Sequence, residues 1–255
     1  MNSDKAKIDL ERFENDDVYY GDSEYVTNSM LGKLKRSPKH LAHYLKYGSG
    51  SSQALEFGRA FHLCILEEEK FSKEVALYQG RRAGKDWVEF KNNHKEFLII
   101  NQTEFDTLRR MRDSIISNQI ARDLIANCKK EVPMVWQDEE TGVWCKGKAD
   151  GVADDYLLDL KTTREPNLDN FKRSAMKYGY DRQSAFYLDG FKRREFWFIC
   201  IEKESPNNLV IASCSNEFIN RGREDYKDLL MFYKKKFIEQ DGNLHLQNSY
   251  EIGVL

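Results

Sequence analysis

Lys148-Ala149-Asp150-Gly151-Val152-Ala153-Asp154-Asp155-Tyr156-Leu157-Leu158-Asp159-Leu160-Lys161 reads as most of a β-hairpin. One strand runs from Val143 to Val152, a turn falls at Asp154-Asp155, and a second strand runs from Tyr156 to Lys161. A turn centred there sets Asp150 directly across from Asp159. Opposed residues of a ladder stand about 4.5–5.5 Å apart at Cβ, where two carboxylates repel. A cation between them removes the repulsion. Lys161 follows Asp159 by two and shares its face of the strand. Asp150 and Asp159, with the Leu160 backbone carbonyl as a further oxygen, suit a hard divalent ion: magnesium, with manganese as a substitute. Such an ion polarises a phosphate and lowers the pKa of an attacking water. Lys161 then orients that water or stabilises charge in the transition state.

Working outward, Gln53 to Glu68 reads as a strong helix, with Leu55, Phe57, Phe61, Ile65 and Leu66 in its apolar stripe. On it, Gly58 and His62 lie one turn apart on a shared face. Glycine there costs about 1 kcal/mol of helix propensity relative to alanine, so close packing or close approach is expected at Gly58. His62 is either a core histidine or a ligand. Downstream, Tyr180, Gln183 and Tyr187 share one helix face, fitting either a packed helix or a surface turned to the hairpin. Glu131 opens the strand before the hairpin and is either a supporting carboxylate or a solvated one. Lys148 shares the face of Asp150 and stands opposite Lys161. An anion between the two lysines fits that pairing, as does splaying into solvent. Arg164, just past Lys161, is a second phosphate candidate.

The remaining pattern is helices, then the hairpin, then helices, two strands and a long helix. Residues 1–24 are polar and acidic and read as a mobile arm. Thr27-Asn28-Ser29 and Ser37-Pro38 offer starts for two short helices, and 48–52 reads as a flexible connection. Gly80 to Lys130 reads as helical, with a helix start at Thr103. Helices are expected at 167–178, 181–192 and 216–239, and strands at 196–201 and 209–214. This order suits an α/β or α+β core with one mixed sheet flanked by helices. A single domain over 25–240, followed by a tail over 241–255, is the economical division.

Composition narrows the function. At 255 residues, with 40% hydrophobic content, the chain can bury one full core. No apolar run approaches membrane-spanning length and the N-terminus lacks the features of a signal peptide, so no membrane partner and a cytoplasmic location are expected. Five cysteines without a CxxC pair argue against disulfides, zinc ribbons and an iron–sulfur cluster. A formal net charge of -2 is unlike a protein that coats DNA, yet allows one that holds DNA in a local groove. Basic clusters such as Lys33-Lys35-Arg36-Lys39 and Lys192-Arg193-Arg194 fit that role or simple solvated faces.

Gly58…His62, Asp150, Asp159-x-Lys161 and Gln183…Tyr187 occur in the order of the PD-(D/E)xK nucleases of the RecB type. The text around them, Asn28-Ser29-Met30-Leu31 through Ser37-Pro38-Lys39-His40, Phe57-Gly58-Arg59-Ala60-Phe61-His62 and Asp150-Gly151-Val152-Ala153, resembles phage and prophage exonucleases of the RecE type. The resemblance spans roughly residues 27–215. It extends more distantly to lambda exonuclease, where a glutamate stands in place of His62. It implies a restriction-endonuclease-like core and a magnesium-dependent, ATP-independent exonuclease. Such an enzyme degrades the 5′ strand from duplex DNA ends and leaves a 3′ overhang. It implies metal contact by His62, Asp150 and Asp159, and catalytic roles for Asp150, Asp159, Lys161, Gln183 and Tyr187. Glu131 falls near an acidic position of the family. Ser29, Lys33, Lys148, Arg164 and Tyr180 are candidate contacts to DNA phosphates. A closed ring of three or four copies, and a single-strand annealing partner of the RecT or beta type, belong to the same implication.

Overall fold

The computed structural model describes residues 9–48, 50, 52–164 and 167–239. The expected tail over 241–255, the first eight residues, and Ser49 and Ser51 of the Gly48–Ser52 connection lie outside the described residues. Two short strands, β1 (Val75–Tyr78) and β2 (Leu98–Asn101), pair in parallel as a small separate sheet. The main sheet has five strands in sequence order: β3 (Lys129–Gln137), β4 (Trp144–Val152), β5 (Tyr156–Thr163), β6 (Glu195–Glu202) and β7 (Leu209–Ser213). Its neighbours are antiparallel except β5 and β6, which run parallel. The sheet is therefore mixed, as the sequence pattern predicts.

Helices cover both faces. In chain order they are α1 (Asp16–Gly21), α2 (Asn28–Arg36), α3 (Pro38–Tyr47), α4 (Gln53–Leu66), α5 (Glu68–Glu74), α6 (Lys85–Asn93), α7 (Gln102–Ser117), α8 (Gln119–Ala126), α9 (Leu168–Tyr178), α10 (Tyr180–Phe191) and α11 (Asn216–Tyr233). One core joins Leu31, Leu41, Leu157, Phe186, Phe198 and Leu230; the other joins Phe61, Leu108, Met111, Leu158, Leu160 and Ile199. Alternation along β5 sends Leu158 and Leu160 into the second core, so Asp159 and Lys161 face the first, toward α10. The α10–α11 crossing is tight: a Cβ at Gly222 would stand 2.0 Å from the Asp181 carbonyl oxygen. Only glycine permits that approach.

Caps set the helix starts. Thr27 and Ser37 accept from Met30 N–H and His40 N–H, and Pro38 occupies the first turn of α3. α7 is capped two residues before Thr103, at Asn101, because Asn101 and Glu104 form a reciprocal capping box. The span from Gly80 to Lys130 is not wholly helical, since β2 lies within it.

Residues 9–24 do not form an arm. Phe13, Tyr19 and Tyr25 make a small buried core beside Val135, and the Tyr25 hydroxyl donates to Asp9. Lys146 of β4 fixes the segment. Its ammonium donates to the carbonyls of Tyr19 (2.6 Å) and Asp22 (2.8 Å) and stands 4.7 Å from the Phe13 and Tyr19 ring centres. The charge is screened by the Asp22 carboxylate at 3.4 Å. An isolated polar sequence gives no sign of this, because the anchor lies 124 residues downstream.

Candidate active site

The hairpin closes as expected, with Ala153 N–H donating to the Tyr156 carbonyl around Asp154-Asp155. Gly151 pairs with Leu158 and Val152 with Leu157. The same register would place Asp150 opposite Asp159, but the bonded ladder ends one pair short of them. There the Asp150 side chain takes over: its Oδ2 accepts from Leu160 N–H at 2.7 Å. The two carboxylates are thus aligned in register without being a bonded pair, and the strands fork where the chemistry sits.

On the β4 side, Asp150 Oδ1 lies 3.4 Å from His62 Nδ1, and Glu131 Oε1 lies 3.8 Å from the same nitrogen. His62 Nε2 is 3.2 Å from the Leu160 carbonyl oxygen. Glu131 reaches the cluster from a left-handed backbone conformation (φ 51°) within β3. A non-glycine residue there is strained, and such strain concentrates at functional sites. Burial disfavours the imidazolium, but Asp150 and Glu131 outweigh it and push the His62 pKa up to about 10. The protonated ring is the local cation among these carboxylates. Burial likewise pushes Asp150 up; the His62 and Lys161 charges and the Leu160 N–H prevail and hold it below its ordinary value.

On the β5 side, Asp159 Oδ2 lies 2.5 Å from Lys161 Nζ, and Oδ1 accepts from Gln183 Nε2 at 2.5 Å. Burial dominates here. Despite the Lys161 ammonium, the Asp159 pKa is pushed up to about 6, with the Asp150 charge adding to the rise. Burial would depress Lys161, yet Asp159 and Asp150 hold it above its ordinary value. Its ammonium also sits 4.9 Å from the centre of the Tyr180 ring, which stacks on Phe198.

Residues 27–240 match the family described as a PDDEXK-like domain of unknown function, DUF3799. The chain belongs to that PDDEXK-like family. No curated protein sequence matches it. Among solved structures it is similar to a candidate exonuclease from Eubacterium rectale, with a TM-score of 0.61 and 15% identity over 91% of each chain. Weaker likenesses are a phage-related exonuclease from Haemophilus somnus 129PT and an alkaline exonuclease from Laribacter hongkongensis. The first has a TM-score of 0.39 and 16% identity over 85% of this chain and 96% of that one. The second has a TM-score of 0.35 and 12% identity over 86% and 92%. At these identities the likeness is one of fold.

PD-(D/E)xK nucleases typically use divalent metals, and the residues of this PDDEXK-like site fit one. One donor atom each from His62, Glu131 and Asp150 lies within 4.8 Å of the others. Imidazole and carboxylate oxygen suit a divalent ion. Buried Asp159 Oδ2 receives no hydrogen bond, its Lys161 contact being ionic without hydrogen-bond geometry. A buried carboxylate oxygen without a donor is costly unless a cation serves it. The expected ligands His62, Asp150, Asp159 and the Leu160 carbonyl all reach the fork, where each has its own protein contacts. Glu131 joins His62 and Asp150, the Leu160 carbonyl contacts the His62 ring, and Asp159 pairs with Lys161 and Gln183.

The other expected residues divide. Ser29, Lys148, Lys161, Gln183 and Tyr187 line one cavity of about 490 Å³. Lys33 does not reach it and stands over the Tyr44 ring at 5.8 Å. Lys148 lines that cavity with Lys161 and is paired with Asp16 and with Glu131 at 3.3 Å, which raise its pKa against the opposing effect of burial. Arg164 lines a separate cavity beyond Lys161, together with Tyr180. Tyr187 packs on β4 so closely that a Cβ at Gly147 would stand 2.9 Å from its ring. Gly58 is not a packing glycine. A Cβ there meets nothing within 4 Å, and the residue borders the cavity of about 340 Å³ that holds His62, Glu131 and Asp150. Asp16 and Tyr20 also line that cavity. Sequence reading missed both because it assigned them to an arm. A polar segment bearing tyrosines at 19, 20 and 25 was the available signal. Among the described residues, no helix is long and apolar enough to cross a membrane.

Proposed function

We propose that this chain is a metal-dependent, ATP-independent exonuclease that digests the 5′ strand of linear duplex DNA and leaves a 3′ single-stranded overhang. The observation that carries the reading is the fork of β4 and β5. It joins Asp150, His62 and Glu131 on one side to Asp159, Lys161 and Gln183 on the other. End-dependence and polarity draw support from the resemblance to RecE-type enzymes and from the fold shared with the candidate exonuclease of Eubacterium rectale. A ring of three or four copies and an annealing partner of the RecT or beta type belong to the same proposal.

His62, Glu131 and Asp150 would hold magnesium, with Asp159 and the Leu160 carbonyl beside them. When bound, the ion supplies Lewis-acid polarisation of the phosphate and lowers the pKa of the attacking water. Lys161 keeps its proton on Nζ and presents that charge to the phosphoryl oxygens where negative charge grows. Gln183 fixes Asp159 through Oδ1, leaving Oδ2 aimed into the site. Tyr187 packs against Gly147 of β4 and forms part of the cavity wall beside Lys161 and Gln183.

The test is digestion of a linear duplex labelled separately at its 5′ and 3′ ends, with magnesium and without ATP, beside a closed circle. Release of 5′ label as mononucleotides with the circle intact is the expected result. Cutting of the circle overturns end-dependence. Failure to cleave either DNA in magnesium or manganese overturns the nuclease reading.

A further inference from the structure

Lys161 lines two cavities. One holds Ser29, Gln183 and Tyr187; the other, of about 560 Å³, opens beyond the C-terminal ends of the parallel strands β5 and β6. Arg164, Lys177, Tyr178 and Lys203 line this second cavity, and among the described residues no carboxylate does. Four other cavities each include an acidic residue: Asp189, Glu217, Asp150 and Asp22 in turn. In a chain of formal net charge -2, an acid-free pocket with four cations is a local positive well. None of Arg164, Lys177 and Lys203 forms an ion pair among the described residues, although sixteen of the nineteen ion pairs there engage other lysines and arginines besides Lys161. Burial and the neighbouring Arg164 together hold Lys203 below its ordinary pKa, so an anion here relieves a repulsion already present.

The pocket also carries an aromatic surface. The Tyr178 side is 60% exposed, at the end of α9, and its ring lies 6.0 Å from that of Tyr180, which stacks in turn on Phe198. A basic track beside an exposed ring is the pattern that holds single strands: cations follow the phosphates and a base stacks on the ring. Bases inside a duplex are already stacked on both faces, so an unpaired strand is the occupant that a lone ring beside a basic track fits best. We propose that the Arg164–Lys177–Lys203 pocket, with Tyr178 as its stacking face, binds the single DNA strand on one side of the phosphate that Lys161 addresses. This rests on the nuclease reading for the identity of the strand, but its binding chemistry can be measured separately.

The experiment is fluorescence anisotropy of a short fluorescein-labelled oligo-dT in EDTA, where metal-dependent cleavage is absent, titrated at several salt concentrations. Lys177→Gln, Lys203→Gln and Tyr178→Ala are compared with Lys192→Gln, which precedes β6 and so lies at the opposite end of the sheet. Tyr178→Ala is expected to weaken binding about fivefold or more, the lower end for loss of a stacked ring. Each lysine change should flatten the dependence of log affinity on log salt by about 0.7, the contribution of one single-strand phosphate contact. Lys192→Gln should leave both unchanged. Thermal melts check folding, and exposed Lys177 and Tyr178 decide the matter if Lys203→Gln is unstable. Wild-type binding in all three pocket variants, while the unmodified protein cleaves DNA, overturns the pocket and leaves the nuclease reading intact. Pocket-dependent binding by a protein that cleaves no DNA overturns the nuclease reading and supports the pocket.

Discussion

Asp150 and Asp159 are the same residue type on adjoining strands of one hairpin, yet their surroundings drive them in opposite directions. Asp150 is held below its ordinary pKa by His62, Lys161 and the Leu160 N–H, against its burial. Asp159, also buried, is pushed up to about 6 although Lys161 touches it. The difference lies in the charges around each: two cations and a backbone N–H outweigh burial at Asp150, whereas at Asp159 burial and the Asp150 charge outweigh Lys161. Asp150 has a backbone N–H on one oxygen and an imidazolium near the other. Asp159 has an amide on one oxygen and only an ionic contact on the other. One side of the fork thus favours the ionised carboxylate, and the other holds a carboxylate that takes up a proton more readily despite its Lys161 contact.

The largest test of that contrast is to remove each half. Asp150→Asn should abolish calorimetric manganese binding and lower cleavage by at least about 10²–10³-fold, the scale of losing a charged transition-state stabiliser. Lys161→Ala should lower the rate by a similar factor while manganese still binds. Equal loss of manganese binding in both variants would erase the division between the two sides. Next comes Lys146, a buried lysine held by two carbonyls and the Asp22 carboxylate. Lys146→Ala should cost about 3–5 kcal/mol, the scale of breaking a buried ion pair, because it removes the anchor of residues 9–24. A chemical-denaturation midpoint close to wild type would return residues 9–24 to an independent arm.

A proton test sharpens the contrast further. His62 has a folded pKa of about 10 against an ordinary 6.5, so it is charged at neutral pH in the metal-free protein. A metal must displace that proton. Manganese affinity should therefore rise about tenfold per pH unit between pH 7 and 9, and level off above the folded pKa. Calorimetry in two buffers of different ionisation enthalpy should find about one proton released per ion at pH 7.5, and none in His62→Gln. The same raised pKa contributes stability that is complete below about pH 6.5 and is lost as pH climbs through about 10. Below pH 6, Asp159 takes up a proton as well and metal affinity should fall more steeply.

Smaller still is Gln183→Ala, which frees Asp159 Oδ1 and should lower the cleavage rate about 10-fold, the lower range for a group that orients a ligand. The smallest effect is at Gly58. Alanine there meets no atom and improves helix propensity, so it should raise stability by up to about 1 kcal/mol. Gly147→Ala should do the reverse, because its Cβ would stand 2.9 Å from the Tyr187 ring. Opposite shifts in melting temperature for these two variants are the expected result; shifts of the same sign would refute the distinction between an open glycine and a packed one.

Much of this was legible in advance where the signal is local. The Asp154-Asp155 turn, the α4 stripe apart from its first residue Leu55, which is exposed, the Ser37-Pro38 start and the Tyr180–Gln183–Tyr187 face all follow from spacing and turn chemistry. What the spacing missed depends on contacts across long separations. Glu131 joins His62 through a left-handed backbone kink that no periodicity announces. Lys148 finds Asp16 across 132 residues, a partner the hairpin pattern does not announce. β1 and β2 were hidden because each is only four residues long and pairs with a partner beyond α6.

The sequence by itself determined the mixed α/β sheet, the hairpin and the carboxylate–lysine pattern upon it, because period-2 and period-3.6 apolar spacing and turn residues act within a few positions. Only the tertiary structure decided that the hairpin forks at Asp150, that His62 and Glu131 complete one side, and that residues 9–24 are docked. Those outcomes depend on which charges are brought together in a space where water no longer screens them. Burial there opposes every ionised group, and the partners supplied by distant strands and helices settle which of them keeps its charge.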